Sequence, residues 1–395
     1  MSLDLPRILP QVEAMSRATA ERAEALRARI PQLVRALDAT AAMPGEELKR
    51  RIDLAGSRWP GAIPTNEPVN ATYPAPSHPA RLAVLAADGS QVYPDRHGLA
   101  LYYLTNIGSI AIPHGTGAAP QTATEPHLAY EEAELYGDDD GLIAAALVDG
   151  QRDVAELAAL ARLAQAHAPR APTLALLDNG LLLWLALEVE KADRLQVDQL
   201  LNEYLAHLSC LKDTRAAVAG FVDRPRHANV LALLHLAGLE PSQVNEANVQ
   251  RSPYRGLTDR ALFAARLARG ERSARFTHAS PVNARFQQAG HSIQFFYLHC
   301  GAEDAIARVE IPQWVGDDPD LLGRVHAGIV EQCRSTGGFP YALARAHELA
   351  VVTQVDRQAL EQMLSDALLR RGLMPAPSRK ALTKQWTGSR RRHRL

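Results

Sequence analysis

The chain has 395 residues, 47% of them hydrophobic, which suffices for one large domain or two ordinary ones with a substantial core. Lys and Arg (43) nearly balance Asp and Glu (44), and the net charge of −1 excludes a global attraction to nucleic acid or membrane, so any polyanion must be met by local patches. Cys210, Cys300 and Cys333 are too few and too scattered for a secreted disulfide framework or a metal motif. The longest strongly apolar stretch, Leu181 to Leu187, is stopped by Glu188, and the N-terminus has no signal pattern, so a cytoplasmic protein without a membrane span is expected.

In chain order, the spacing of Leu9, Val12, Met15, Leu26, Ile30, Leu33 and Leu37 predicts one long amphipathic helix from about 9 to 40, within an N-terminal segment 1–58. Prolines at 60, 64, 68, 74, 76 and 79 predict an extended connector over 59–80. Arg81 to Ala87 reads as a buried strand, and Leu99 to Ile112 as two more around Asn106–Ser109, arranged as an antiparallel meander. The acidic interval Glu131 to Asp140 reads as a loop. A helix is expected from Asp149 to His167, with Val154, Leu157, Leu160 and Leu163 on its inner stripe, and then a strand from Thr173 to Leu177.

Further on, a strand is expected at Ala216–Val222, helices at Asn229–Leu239 and Leu257–Leu267, and a strand pair at Ile293–His299 and Ala305–Ile311 joined at Gly301. Helices are expected at Leu321–Cys333 and Asp356–Arg371, before a basic tail over 373–395. Strands first and interleaved strands and helices later predict an α/β fold with a mixed sheet and helices on its faces, in one domain over 81–372.

The strand ending at Ala87 is followed by Asp88-Gly89-Ser90, and the later one by Asp178-Asn179-Gly180. Either alone reads as an ordinary turn, because Asp bonds its own backbone and Gly accepts positive φ. Two carboxylates delivered by two buried strands suggest a metal site, since a divalent cation makes such closeness tolerable. Glu156 shares a helical stripe with Leu160 and Leu163 and so faces inward, with an i,i+4 pair to Arg152 as the alternative reading. If Tyr341–Glu348 is helical, His347 lies on a face with Leu343 and Val351, as a core residue or as a ligand.

Together these segments resemble the NurA nuclease family. The resemblance runs from about Arg81 to Arg371. It rests on Ala87-Asp88-Gly89-Ser90, Arg152 to Leu157, Leu176 to Gly180, Ala219-Gly220-Phe221-Val222, Asp259 with Leu262 and Phe263, Gly270 to Ser273, Arg308 to Pro312 with Trp314, and Gly338 through His347. It implies an RNase H-like mixed β-sheet flanked by helices. It also implies a Mn²⁺-dependent DNA phosphodiesterase with 5′ to 3′ exonuclease and single-strand endonuclease activity, working as a homodimer beside HerA, a hexameric DNA-translocating ATPase, in recombination repair. The family's metal-binding acids map to Asp88, Glu156 and Asp178, and its late histidine to His347. The chain departs from the family pattern at Asn179-Gly180, where Gly-Ser is common, and at Asp223, where Lys often stands.

Phosphodiester hydrolysis needs an activated water, a clamp on the non-bridging oxygens and a stabilised leaving oxygen, which two divalent ions supply together. Carboxylates suit Mn²⁺ or Mg²⁺, and an imidazole favours Mn²⁺. In this reading Asp88 bridges two ions, Glu156 and Asp178 complete one side each, and His347 binds the second ion or sits by the leaving group. Asp149 and Asp153 are competing choices for the helix acid, but both sit nearer its N-terminus, where capping and dipole attraction explain an Asp without a metal, so Glu156 is preferred. Asp259 reads as a helix-start acid or further ligand, and Tyr93, Tyr102 and Tyr103 as sheet residues or base-stacking platforms. Arg224-Pro225-Arg226-His227, the trio Arg269, Arg272 and Arg275, and the tail read as phosphate contacts or as solvated charge. The chain has no Gly-Lys dipeptide for a P-loop, no His-Glu-x-x-His and no Gly-x-Ser-x-Gly. The rival class is a catalytically weak scaffold that docks on a translocase and guides DNA.

Overall fold

The computed structural model of the chain describes residues 4–56, 59–136, 141–187, 194–301 and 305–373. The single N-terminal helix expected from sequence is two, α1 (Leu5–Arg27) and α2 (Ile30–Ala41), followed by α3 (Gly45–Ala55). Pro31 explains the break. In a continuous helix its ring would strike the carbonyl of Arg27 and offer it no N–H, whereas in the first turn of α2 neither matters. The proline-rich stretch is extended and contributes two short strands, β1 (Ala62–Pro64) and β2 (Thr72–Tyr73).

The meander is present as β3 (Leu82–Val92), β4 (Tyr103–His114) and β5 (Gln121–Ala129), with different bounds from those expected. β4 runs unbroken through Asn106–Ser109, and the third strand is the polar, largely exposed β5. An edge strand carries no apolar alternation, which is why the sequence hid it. Next come α4 (Glu132–Leu135), within the expected acidic loop, and α5 (Ala145–His167). Residues 137–140 of that loop lie outside the described ones, as does the basic tail from 374. Because α5 begins at Ala145, Asp149 and Asp153 lie inside the helix, past the N-terminus where capping would explain them.

The remaining elements are β6 (Thr173–Asp178), α6 (Arg194–Asp213), β7 (Ala217–Val222), α7 (Asn229–Gly238), α8 (Glu246–Val249) and α9 (Asp259–Ala264), the last shorter than expected. They continue with β8 (Arg272–Ser273), β9 (Phe276–His278), α10 (Pro281–Gln288), β10 (Ile293–His299), β11 (Ile306–Pro312), α11 (Gln313–Gly316), α12 (Pro319–Cys333), α13 (Tyr341–Ala350) and α14 (Gln354–Arg370). No helix among the described residues is long and apolar enough to cross a membrane.

The chain falls into two compact units. The first comprises Met1–His78, Asn179–Leu181 and Ala219–Phe339, so the N-terminal helices and the proline-rich stretch group with the later half of the chain. Its strands run β1-β9-β10-β11-β7, antiparallel throughout. Phe263 stacks on Tyr297 at 4.7 Å in its core, and α2 packs Leu33 and Leu37 into the same cluster. Buried charge here is paired within the fold. Arg308, with no exposure, donates from Nε to Glu310 at 2.9 Å and from Nη1 to Asn229 at 3.0 Å, and its guanidinium lies 3.5 Å from the Phe295 ring centre.

The second unit comprises Pro79–Asp178, Leu182–Val218 and Pro340–Leu395. Its strands run β6-β3-β4-β5, with β3 parallel to β6 and antiparallel to β4. The buried run Leu82–Ala87 is continuous because helices cover both faces of β3, so neither parity can be polar. α5 covers one face, with α6 packed behind it, and α13 covers the other. An antiparallel meander followed by a parallel strand, with helices on both faces, makes the mixed α/β sheet flanked by helices that was expected.

Candidate active site

All four residues singled out from sequence, Asp88, Glu156, Asp178 and His347, belong to the second unit. Ala87 and Leu177 are register partners on parallel strands, so Asp88 and Asp178 are the next residues on neighbouring strands. Strand pleating sends their side chains to the same side of the sheet. Asn179 follows with φ at 85°, in the left-handed region where glycine is cheapest and asparagine the usual substitute. The Asn-for-Gly departure therefore keeps the backbone turn and leaves Asp178 in place.

Asp88-Gly89-Ser90 does three different jobs. Asp88 Oδ2 lies 2.7 Å from His347 Nδ1, and its Oδ1 accepts the Gly89 N–H at 2.9 Å. Ser90, on the same face, donates to the Ala350 carbonyl at 2.5 Å and accepts the Val352 N–H at 3.2 Å. Asn106 Nδ2 donates to the carbonyls of Leu349 at 3.2 Å and Ala350 at 2.8 Å, so the open C-terminus of α13 is tied to β3 and β4. Gly108, opposite Asp88 in the register, lets α13 press onto the sheet, since a Cβ there would meet the Ala346 carbonyl at 2.5 Å. These contacts, together with Leu343 and Ala346 buried in the interface, set His347 beside Asp88. His347 itself is 62% exposed, so it is not a core histidine on a face with Leu343.

Gly89 faces the other way, toward α5. A Cβ at Gly89 would meet Arg152 Cγ and Glu156 Oε1, each at 2.6 Å, so this glycine makes room for both side chains against the strand. Glu156 is 6% exposed, and its Oε1 lies 3.2 Å from Arg152 Nε, so the i,i+4 pair and the inward orientation hold together. Desolvation, reinforced by the charges of Asp153, Asp88 and Asp178 and only partly offset by Arg152, pushes its pKa well above the ordinary carboxylate value. Burial works against the charge of Arg152, yet Asp153, Glu156 and Asp149 outweigh it and raise the pKa of the guanidinium.

Beside this pair runs a polar network that the sequence reading did not find. Arg152 Nη2 donates to Asp153 at 2.6 Å and Nη1 to Gln91 Oε1 at 2.9 Å. Gln91 Nε2 donates to Asp149 at 2.8 Å, and Tyr93 Oη donates to the same oxygen at 2.6 Å. The signal was strand parity: Gly89 and Gln91 share the face of β3 that meets α5, and Tyr93 follows at the same spacing just past the strand.

Among the described residues no three His, Cys, Asp or Glu side chains converge closely enough to hold an ion together. What the structure gathers is one contact, Asp88 with His347, and a buried Glu156 that the charges of Asp153, Asp88 and Asp178 reach. The donor set nevertheless fits a hard divalent cation: carboxylates whose charges reach the buried Glu156, and an imidazole beside Asp88.

Other candidates are placed elsewhere or used otherwise. Asp259 belongs to the first unit and is fully buried, accepting the N–H groups of Val230 and Leu231 at 3.0 and 2.9 Å and the Tyr297 hydroxyl at 2.8 Å. It caps α7, and burial raises its pKa to about 6. Arg272 and Arg275 are buried against Glu67, at 2.9 and 3.0 Å, and so are structural cations and not a DNA-binding patch. Tyr103 is a buried sheet residue that donates to Gln151 at 2.5 Å. Asp223 is half exposed, 3.9 Å from Arg224.

Residues 82–352 match the NurA domain family. Among solved structures, the chain is similar to the NurA nuclease from Sulfolobus solfataricus, at 14% identity and a TM-score of 0.48 over 90% of this chain and 98% of that one. It is also similar to the catalytic domain of human Endonuclease V, at 11% identity and a TM-score of 0.35 over 81% of this chain and 95% of that one. No curated protein matches the sequence.

Proposed function

The chain belongs to the NurA family, and on that premise we propose that it is a divalent-cation-dependent DNA nuclease. In this reading it is a 5′ to 3′ exonuclease and single-strand endonuclease that processes DNA ends for recombination repair, as a homodimer beside a HerA-type hexameric translocase. The observation that carries the nuclease reading is the crowding of carboxylates about Glu156, whose pKa burial and the charges of Asp153, Asp88 and Asp178 drive up. A fold that gains nothing from such a cluster keeps it for chemistry.

Asp88, Glu156, Asp178 and His347 would hold Mn²⁺, with Mg²⁺ as the alternative and two ions as the expected number. Bound there, the cations supply Lewis-acid charge to the scissile phosphate and activate water for its hydrolysis. The chain's own residues do the positioning. The Gly89 N–H fixes one oxygen of Asp88 and His347 orients the other. With Nδ1 turned to Asp88 and the ring mostly exposed, Nε2 is the nitrogen His347 would offer, to a cation or, in the alternative role, as proton donor to a departing oxygen. Glu156, held off solvent by α5 and β3, presents its carboxylate in a low-dielectric pocket where a cation is bound more strongly.

The test is cleavage of end-labelled single- and double-stranded DNA in Mn²⁺, Mg²⁺ or EDTA, by the wild type and by Asp88→Ala. Metal-dependent cleavage that the substitution abolishes is expected. Absence of cleavage in every metal, with the cognate translocase added, would favour the scaffold that guides DNA without cutting it.

A further inference from the structure

Arg152 places a positive charge where the proposed reading places cations. Its contacts are unequal. Nη2 and Nη1 make formed hydrogen bonds, to Asp153 at 2.6 Å and to Gln91 at 2.9 Å. Nε lies 3.2 Å from Glu156 Oε1 yet makes no hydrogen bond, although it is buried. The guanidinium is therefore anchored by Asp153 and Gln91 and faces Glu156 by charge alone. The anchor is itself braced, since Gln91 is held by Asp149 and Tyr93. Gly89 completes the arrangement, because any side chain there would collide with both Arg152 and Glu156.

We infer that Arg152 is a resident counter-ion for Glu156, a positioning residue that a divalent cation must compete with and that sets how tightly the acid cluster binds it. The inference rests on the proposed cation-dependent reading and deepens it. Without a cation, the guanidinium offsets the repulsion among Glu156, Asp153 and Asp88. When a cation arrives, Glu156 can turn to it without breaking a hydrogen bond, and the braced guanidinium stays in place. A fixed positive charge this close to the ligands opposes the incoming cation, so the site is held at a weaker affinity than its acids alone would give.

A purely structural arginine would lower stability on removal and leave cation affinity alone or weaken it. A counter-ion does the opposite to affinity. The experiment is direct Mn²⁺ binding, read from the paramagnetic resonance of free Mn²⁺, on the full chain as wild type, Arg152→Gln, Arg152→Lys, Gln91→Ala and Asp88→Asn. Arg152→Gln is expected to bind Mn²⁺ about tenfold tighter, the scale of removing one nearby charge in a partly buried site. Arg152→Lys keeps the charge and should stay within about threefold of wild type on the same reasoning. Should Arg152→Gln fail to fold, Gln91→Ala carries the test: it loosens the anchor, leaves every charge in place and should tighten binding by a smaller factor. Equal or weaker binding in Arg152→Gln, or in Gln91→Ala in its stead, overturns the inference while leaving the nuclease reading standing. Wild-type binding that Asp88→Asn does not reduce would overturn the metal reading, and the inference with it.

Discussion

Glu156 and Glu310 are almost equally buried, at 6% and 5% exposure, and their carboxylates are shifted in opposite directions. For Glu310, in the first unit, burial opposes the charge, but Arg308 at 2.9 Å and the Leu181 N–H at 2.9 Å outweigh it and hold the pKa below the ordinary value. Glu67 is held low in the same way, against burial, by Arg272 and Arg275. For Glu156, in the second unit, burial is joined by three neighbouring acids and opposed by one arginine, and the pKa rises well above the ordinary value. Burial alone therefore does not distinguish a structural acid from a functional one. The balance of partners does: arginines neutralise Glu310 and Glu67, whereas around Glu156 one arginine stands against three further acids.

The contrast breaks most sharply under substitution. Asp88→Asn, Glu156→Gln or Asp178→Asn should each lower the rate of DNA cleavage by on the order of a thousandfold or more, measured at saturating Mn²⁺, with the unfolding midpoint unchanged or raised. Glu310→Gln or Arg308→Met should do the reverse. Each leaves an engaged buried ion without its partner and should cost about 3–5 kcal/mol in denaturant unfolding. A set of first-unit variants that lost activity while keeping stability would dissolve the distinction.

Cation addition sharpens it further. A ligand that binds only the folded chain stabilises it by about 2.7 kcal/mol at a hundredfold its dissociation constant, so Mn²⁺ should raise the wild-type unfolding temperature and leave that of Asp88→Asn unmoved. The same titration on Glu310→Gln should give a wild-type shift on a lower baseline.

The smallest expected effect concerns pH. Burial holds His227, His278 and His326 of the first unit at about 4, below the ordinary 6.5. The unfolded chain binds more protons between those values, so their contribution is fully present above pH 6.5 and is lost as pH falls toward 4. Asp259, raised from 3.8 to about 6, runs the other way and is relieved over part of the same range. His167 and His207 of the second unit are lowered likewise and Glu156 is raised like Asp259. With five histidines against two acids, thermal unfolding scans at pH 7.5 and pH 5 should show the lower midpoint at pH 5. An equal or higher midpoint there would mean that the histidines are not buried neutral.

Much of this was legible before the structure. The run Leu82–Ala87 and its aspartate, the inner stripe of α5 with Glu156, and the strand delivering Asp178 follow from periodicity and turn chemistry. Helix α6 carries Val197, Leu201, Tyr204, Leu208 and Leu211 at helical spacing, a pattern that was available and passed over. Other features leave no local trace. The strand β5 is polar because it is an edge, and the break between α1 and α2 is a backbone conflict at one proline. The contact of His347 with Asp88 joins positions 259 residues apart, through a helix seated by Ser90, Asn106 and Gly108, and no spacing rule encodes it. The resemblance supplied that histidine, and the structure supplied its physical reason for being there. The role of Arg152 needed both faces of β3 to be known.

The measurement that tests the central claim most directly is the unfolding free energy of Glu156→Gln, in EDTA, beside its cleavage of DNA in Mn²⁺. The account predicts a stability equal to or above wild type, because a strained acid has been made neutral, together with loss of cleavage. A loss of several kcal/mol on the scale of breaking a buried pair, with cleavage by the folded fraction retained, would show Glu156 to be a structural acid like Glu310 and would contradict it.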